Sequence, residues 1–502
     1  SGAVNIFGRR FPSYDLFLLI VGPVVLLMLW WLISKTRFGT LIRAASQDRE
    51  MVGALGIPQD KLFTAVFFLG CALAGLAGAL QLPREPASLN LDIPSISDAF
   101  VVVVVGGLGS IPGAYAAALL IAEIKALCVF IGTIEIAGVS LSFSKLTLIA
   151  EFLVMAVVLV FRPWGLMGKA QGATRGVSTT EKPYQTTNRG TTIVWTTLFI
   201  LLLGVPVLAQ SSPYTTVLGI DLLTSVLFAC SLHFIMGPAG MHSFGHSAFF
   251  GLGAYAAALL LLKVGIPMEG ALLIAPFITA IFAVLVGWFC VRLSGVYLAM
   301  LTLAFSQILW AICFQWDNLT GGSNGITGVW PSVFFADKSN YYYLTLLVVG
   351  LSVFLIRRAI FSPFGYALRS IRDSSLRAEA IGISPQTIQW TGFVFASFFA
   401  GLAGALFAFS KGSISPDSLG ISKSVDALVM VLLGGIQTVT GPIIGAISLT
   451  WLQDTIVRTT DYWRACLGAA IMALVLLFPN GIFGFLIDLR EYLFKSNSVS
   501  RN

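Results

Sequence analysis

Phe38-Gly39-Thr40-Leu41-Ile42-Arg43, then Leu55-Gly56-Ile57 and Ala74-Gly75-Leu76-Ala77-Gly78-Ala79-Leu80, return as Phe364-Gly365-Tyr366-Ala367-Leu368-Arg369, Ile381-Gly382-Ile383 and Ala400-Gly401-Leu402-Ala403-Gly404-Ala405-Leu406. The offset is 326 residues at each position (Phe364 against Phe38, Ala400 against Ala74), with no insertion across more than forty residues. Chance similarity between apolar stretches can supply a run of Ala and Gly. It does not also keep a Phe-Gly, an Arg and a Gly-Ile in one register. Each copy reads as a charged loop leading into a helix of small residues, so the chain is organised around a duplication.

Hydrophobic residues make up 57% of the 502 positions and charged residues 11%, against roughly a quarter charged in a soluble domain. Apolar runs of about 18 residues or more recur, and runs of that length span a bilayer as helices. The expected fold class is all-α, a polytopic membrane protein in contact with the lipid bilayer. The formal net charge of +7 sits in short loops between apolar runs, where it orients the chain. No nucleic-acid partner is implied. Six scattered Cys lack metal-ligand spacing and read as small buried hydrophobes. Neither metal nor cofactor is expected, and no set of polar residues points to an enzyme.

Leu16 to Ile33 is the first expected span. The loop after it carries Lys35, Arg37, Arg43, Arg49 and Lys61 against Asp48, Glu50 and Asp60, a basic excess that places it in the cytoplasm. Leu62 to Leu82 returns across the membrane with Gly70, Ala74, Gly75, Gly78 and Ala79 at four-residue spacings, forming faces that let helices approach closely. An acidic stretch from Pro83 to Asp98 reads as external. The next run is broken at Gly106-Gly107-Leu108-Gly109-Ser110-Ile111-Pro112-Gly113, and the second copy is broken at Gly434-Gly435-Ile436-Gln437-Thr438-Val439-Thr440-Gly441-Pro442. Irregular backbone at membrane depth is buried in protein or lines a cavity. Gly106, Gly107, Gly109, Gly434, Gly435 and Gly441 are therefore pathway candidates, with a tight interhelical turn as the alternative. Glu123 and Lys125 are two apart, do not face each other on a helix, and read as a pair near the interface.

Phe161-Arg162-Pro163-Trp164-Gly165-Leu166 closes the first unit and Phe478-Pro479-Asn480-Gly481-Ile482 the second. Between them, residues 162–192 hold five basic residues and one acidic among Gly, Thr and Gln, the composition of a flexible cytoplasmic linker. The expected organisation is a first unit at 1–168, a linker at 169–192, a second unit at 193–490 and a tail at 491–502. Spans in the second unit are expected at 193–209, 217–236, 246–262, 270–291, 296–314, 341–356, 388–409, a broken stretch from 425 to about 456, and 463–478. Crossing parity closes if each broken stretch supplies two passes or a compensated re-entrant piece. Between 12 and 16 hydrophobic segments are expected. About 171 residues separate Ile193 from Phe364 while 37 precede Phe38. If the units are built alike, four or five further spans belong before Ser1, and a fragment of a longer chain is the expectation.

These residues carry a family resemblance. The chain looks like a fusion of the two permease subunits of the high-affinity branched-chain amino acid ABC importer, LivH-like at 1 to about 168 and LivM-like from about 193 to 490. The first resemblance rests on Phe38 through Leu80 with Gly106 to Ser110. The second rests on Met236 to Gly240, Ser243 to Tyr255, Leu319 to Ile326 and Leu368 through Ile383. It implies two homologous ABC-importer permease units with broken helices in a bacterial inner membrane. Two cytoplasmic ATPase subunits would drive them, and a periplasmic binding protein would deliver substrate. The chain has no Gly-rich loop ending in Gly-Lys-Ser or Gly-Lys-Thr. The fusion departs from the family's usual separate subunits, and the first unit lacks a segment matching His242 and His246.

On this resemblance each loop holds a short helix that docks on an ATPase. Arg43, Gly53 and Gly56 belong to the first, and Arg369, Arg372, Arg377, Glu379 and Gly382 to the second. Glu379-Ala380-Ile381-Gly382 resembles the Glu-Ala-x-x-x-Gly loop of importer permeases with altered spacing, and Gly53-Ala54-Leu55-Gly56 is its counterpart. The Gly would end the helix, and the Arg side chains would meet acidic residues of the partner. Few fixed charges in the spans can clamp a zwitterion, so specificity is expected mainly in the soluble receptor. Branched-chain amino acids are the expected cargo; urea, short amides or other amino acids are alternatives on the same machinery. A secondary transporter also has repeats and broken helices, but is expected to bury more ionisable residues and to work without ATPases. His242 and His246 fit loop packing or a local hydrogen bond better than a metal site.

Overall fold

A helix that is apolar on every side needs lipid or other helices around it. The computed structural model describes residues 3–6, 9–88, 91–136, 139–168, 197, 200–208, 213–478 and 481–485. Among these, ten helices are long and apolar enough to cross a membrane, with Pro94–Gly106 a shorter apolar helix. The count falls below 12 partly because the helix entering the second break has only 14 residues. The linker 169–192 and the tail 491–502 lie outside the described residues, as do 193–196, 198, 199 and 209 of the expected span at 193–209. The chain divides into two units by its contacts, Ser1–Phe130 with Trp164–Ala170, and Ile131–Pro163 with Gln171–Asn502.

The first unit opens with an antiparallel hairpin, β1 (Ala3–Ile6) and β2 (Arg9–Pro12), registered Ala3 to Pro12. Then follow α1 (Ser13–Lys35), α2 (Arg37–Gln47), α3 (Arg49–Ala54), α4 (Gln59–Gln81), α5 (Asp92–Gly106) and α6 (Ile111–Ile131). Tyr14 at the start of α1 donates a 2.7 Å hydrogen bond to the Leu80 carbonyl at the end of α4, and Asp15 pairs with Arg84 at 3.5 Å. Lys125 on α6 reaches Asp98 on α5 at 4.0 Å, while Glu123 is exposed.

In the second unit the hairpin β3 (Thr133–Ile136) and β4 (Val139–Ser142) leads into α7 (Phe143–Phe161). The membrane helices that follow are α8 (Pro213–Met236), α9 (His246–Leu259, extended by a π turn to Val264), α10 (Met268–Cys290), α11 (Val296–Gln315) and α12 (Lys338–Ile360). Next come the short α13 (Pro363–Asp373) and α14 (Ser375–Ala380), then α15 (Pro385–Lys411), α16 (Ile421–Gly434), α17 (Gly441–Thr459) and α18 (Trp463–Leu477). α7 packs on α11, where the Gln315 amide donates to the Lys145 carbonyl at 2.7 Å. A short antiparallel pair, β5 (Ile326–Thr327) with β6 (Ser413–Ile414), ties the loop after α11 to the loop after α15.

α15 is the hub, packed against α8, α9 and α10. Small residues permit this. A Cβ on Gly253 of α9 would lie 2.1 Å from the Gly401 carbonyl oxygen, and one on Gly404 would lie 1.8 Å from that of Phe250. Backbones in such contact exclude lipid and gain dispersion along their length. α16 and α17 pack side by side about the second break, so that break supplies two helices, the first of only 14 residues. The repeated Ala-Gly-Leu-Ala-Gly-Ala-Leu motif meets unequal surroundings. The most apolar window of α15 is 72% buried, whereas that of α4 is 6% buried.

Candidate functional site

Both loops fold into the same two-helix elbow. In the first, the Thr36 hydroxyl accepts from Gly39 N at 3.2 Å to cap α2, and the Asp48 carboxylate accepts from Met51 N at 2.9 Å to cap α3. In the second, Ser362 accepts from Gly365 N and Ser374 from Arg377 N, each at 3.4 Å, to cap α13 and α14. Side-chain acceptors at these positions satisfy amides that no helical carbonyl can reach. The helix bounds stand 326 apart at both ends, Arg37–Gln47 against Pro363–Asp373 and Arg49–Ala54 against Ser375–Ala380. Where a single short helix was expected, each loop therefore has two.

The repeated glycines serve two different ends. Gly39 and Gly365 lie under the preceding span, where a Cβ would meet the Ile33 carbonyl oxygen at 2.1 Å or that of Ile360 at 2.2 Å. Gly56 and Gly382 have open space around them but φ of +79° and +86°. Each closes its elbow with paired bonds, Gly56 N to Gly53 O (3.0 Å) and Ile57 N to Val52 O (3.4 Å), then Gly382 N to Glu379 O and Ile383 N to Ala378 O (both 3.0 Å). This is the Schellman arrangement, which requires a left-handed residue after the helix. In the first elbow a small core of Ala45, Val52 and Leu62, with Phe38, Leu41, Ile42 and Ile57 around it, holds the turn.

The charged candidates separate into two groups. Arg369 donates to the carbonyls of Ile360 (3.0 Å) and Gly365 (3.3 Å) and lies over the Tyr366 ring at 4.2 Å, capping the end of α12. Arg372 donates to Gly237 O at 2.9 Å and to Asp373 at 3.1 Å, its stem resting on Gly240. These two fasten the elbow to its own unit. Arg43, Arg377 and Glu379 are exposed. Gly53 lies within α3 and leaves room for Gln59, which folds back to donate to Arg49 O at 2.7 Å. At the outer turn of each elbow stands an apolar side chain in register, Leu55 at 71% and Ile381 at 72% exposed. The exposed part of each elbow is thus an apolar tip with a few charges beside it.

The two breaks are likewise one structure built twice. Gly107 and Gly435 end their helices at φ of +101° and +107°, and Ser110 and Thr438 each accept from the amide three residues on, Gly113 N and Gly441 N, at 3.1 Å. Gly106 and Gly434 let the next helix start against their backbone, Gly109 takes φ +85° in open space, and a Cβ on Gly441 would strike Gly435 O at 2.5 Å. The unit-ending motifs then return. Leu166 N and Met167 N donate to Val105 O and Gly106 O at 2.8 and 3.0 Å, and Gly481 lies against Gly435 as Gly165 does against Gly107. In the second unit the His233 imidazole lies 2.8 Å from Ile436 O.

Polar groups inside the second unit were harder to foresee. His246 is buried with its Nε2 2.9 Å from the Ser231 hydroxyl, whereas His242 is exposed. Ser247 and Ser306 both donate to Leu419 O, at 3.0 and 3.1 Å, and Ser424 donates to Ser247 at 2.7 Å, locking α9, α11 and α16 together. Asp221, Lys411, Lys423 and Asp426 line one cavity with several aromatic rings. Their separation in sequence hides this. The available signal was Asp221 itself, eight residues into an apolar helix.

The family described as branched-chain amino acid transport system / permease component matches residues 2–161 and 214–478. The permease LivM of the high-affinity branched-chain amino acid transport system of Escherichia coli K12 is 30% identical over 315 residues, 56% of this chain and 74% of LivM. BraD, the permease of that name from Pseudomonas aeruginosa, is 30% identical over 172 residues, 34% of this chain and 52% of BraD. LivH of Escherichia coli K12 is 29% identical over 167 residues, 33% of this chain and 51% of LivH. The chain thus spans about half the length of BraD and LivH. No solved structure matches it.

Proposed function

The chain belongs to the family of branched-chain amino acid transport permease components, and on that premise we propose that it forms the membrane pathway of an ATP-driven importer of branched-chain amino acids. It is a polytopic permease of the ABC-importer type, for small polar or amino-acid solutes. In the fuller reading, a LivH-like unit at 1–168 and a LivM-like unit at 193–490 are joined by the linker 169–192, with a tail at 491–502, in a bacterial inner membrane. Each elbow receives one cytoplasmic ATPase subunit, and a periplasmic binding protein delivers the solute. Gly106, Gly107, Gly109, Gly434, Gly435 and Gly441 shape the pathway by setting the breaks.

The observation that carries this reading is the elbow, repeated cap for cap and ending in Leu55 and Ile381, apolar tips that the rest of the chain leaves exposed. An apolar side chain fixed at an exposed turn stabilises little within the chain and suits burial in a partner's cleft. Arg377 and Glu379 would contribute rim contacts, while Arg369 and Arg372 hold the elbow at the angle the partner meets.

The experiment is reconstitution of the chain with its ATPase subunits and receptor in lipid nanodiscs. Leu55→Asp and Ile381→Asp are each expected to lower leucine-stimulated ATP hydrolysis more than tenfold while the chain elutes as a folded particle. Unchanged hydrolysis in both variants would sink the docking assignment. Uptake of leucine against urea and acetamide in proteoliposomes decides the cargo.

A further inference from the structure

α8, α9, α15, α16 and α17 line a partly open cavity of about 170 Å³. For scale, a protein cavity of about 150 Å³ admits a benzene-sized molecule. Two lysines and two aspartates line it, Lys411, Lys423, Asp221 and Asp426. Ionisable groups within a membrane bundle are costly and normally pair off or serve a pathway. Here the pairing is incomplete. Lys411 binds Asp221 Oδ2 at 2.7 Å, but Asp221 Oδ1 is buried without a hydrogen-bond partner, and so is the Thr450 hydroxyl on the same wall. Among the described residues neither the Lys423 ammonium nor the Asp426 carboxylate makes a side-chain hydrogen bond or a close ion pair. The Lys423 ammonium lies instead over the rings of Phe250 and Phe407, 5.1 and 5.4 Å from their centroids.

The formal charges sum to zero, two positive and two negative. A solute with a net charge would leave one wall charge uncompensated beside partly buried groups, which is unfavourable. A solute with both charges leaves none. Phe228, Phe250, Phe407 and Met430 supply an apolar side of the same cavity, which a urea or a small polyol does not use. We infer that this cavity is a binding site for a single zwitterionic α-amino acid with an apolar side chain. Its carboxylate meets Lys423, its ammonium meets Asp221 Oδ1 and Asp426, and its side chain lies on the aromatic wall. The inference deepens the importer reading and rests on it. α15 runs about 40 Å at 1.5 Å per residue from Pro385, next to the elbow, to Lys411 at the cavity. The site is therefore at the end of the bundle opposite the elbow, where a receptor would release its cargo.

The test uses the purified full chain in nanodiscs, without ATPase or receptor, and tritiated L-leucine in a scintillation proximity assay. Saturable binding is expected, displaced by unlabelled leucine. 4-Methylpentanoate, which lacks the ammonium, 3-methylbutylamine, which lacks the carboxylate, and D-ribose should not displace it. Lys423→Met and Asp221→Asn should each weaken binding at least tenfold. Phe407→Ala should shift preference from leucine towards alanine. Thr450→Val and Phe407→Ala keep every charge, so they test the site even if a charge variant fails to fold. Absence of saturable leucine binding overturns the site, as does binding indifferent to all four variants, or equal competition by the three analogues. ATP-driven, receptor-dependent uptake without leucine binding to the isolated chain would reject the site and leave the importer reading intact. Leucine binding that responds to these variants, without ATP-driven uptake by the reconstituted complex, would reject the importer reading and leave the site.

Discussion

Gly481 stands so close to Gly435 that a Cβ at position 481 would lie 2.4 Å from both the nitrogen and the Cα of Gly435. In the first unit Gly165 stands 2.6 Å from the same atoms of Gly107 by the same measure. The motifs that end the units are therefore latches seated on the helix breaks, and each latch glycine also has positive φ, +77° at Gly165 and +78° at Gly481.

Gly165→Ala and Gly481→Ala should each destabilise the chain, by about 1–3 kcal/mol from the backbone conformation alone, plus the displacement a methyl group forces. Gly109→Ala is the comparison, because its φ is +85° but nothing lies within 4 Å. Thermal melting in detergent should rank both latch variants below Gly109→Ala. Equal midpoints would remove the latch.

The duplication was legible because an offset of 326 survives in caps and glycines that local geometry demands. What each glycine does was not. Gly39 and Gly56 look alike as letters, yet one avoids the Ile33 carbonyl and the other supplies a left-handed turn. Basic residues in the loops were readable as orientation signals, but carbonyl partners such as Gly237 O for Arg372 arise only in three dimensions. The cavity was missed for the same reason. Its charges come from α8, α15 and α16, and no spacing in sequence marks residues that meet across a bundle.

Gly382→Val should leave the membrane bundle folded and uncouple the elbow. Space is open at this position, so the defect comes from φ and amounts to about 1–3 kcal/mol confined to the turn. Leucine-stimulated ATP hydrolysis should fall with an unchanged melting midpoint. Gly365→Val, by contrast, must push against the Ile360 carbonyl and should lower the midpoint itself. A Gly382→Val variant that hydrolyses ATP normally would show that the turn is not used.

Arg372→Lys tests whether the elbow is fastened by a fork rather than a charge. The guanidinium bonds Gly237 O and Asp373 together, and an ammonium on a flexible stem cannot reproduce that geometry. Loss of one charge-assisted bond is worth about 1.5–3 kcal/mol. Amide exchange over residues 363–380 should therefore quicken about tenfold or more, since ~1.4 kcal/mol is a factor of ten. Exchange unchanged from the parent chain would mean that Arg372 is a bystander.

The last prediction sets the two copies of the small-residue helix against each other. At Gly404 a Cβ would lie 1.8 Å from the Phe250 carbonyl oxygen and 3.1 Å from Ala254 N, and at Gly401 it would lie 2.5 Å from the Thr279 hydroxyl. At the matching Gly78 and Gly75 nothing lies within 4 Å. Gly404→Leu must separate α15 from α9, and overpacking of this kind costs about 1–3 kcal/mol, at times more. Gly78→Leu adds a side chain where no described atom lies within 4 Å of its Cβ, so its effect should remain within about 0.5 kcal/mol. Thermal midpoints of the two variants, measured in the same detergent, should therefore diverge although the motif is identical. Equal loss at both positions would show that the α4 face is packed as tightly as the α15 face, by helices of a second chain or of a longer one, and a crosslink from Cys substituted at Gly78 would then identify them.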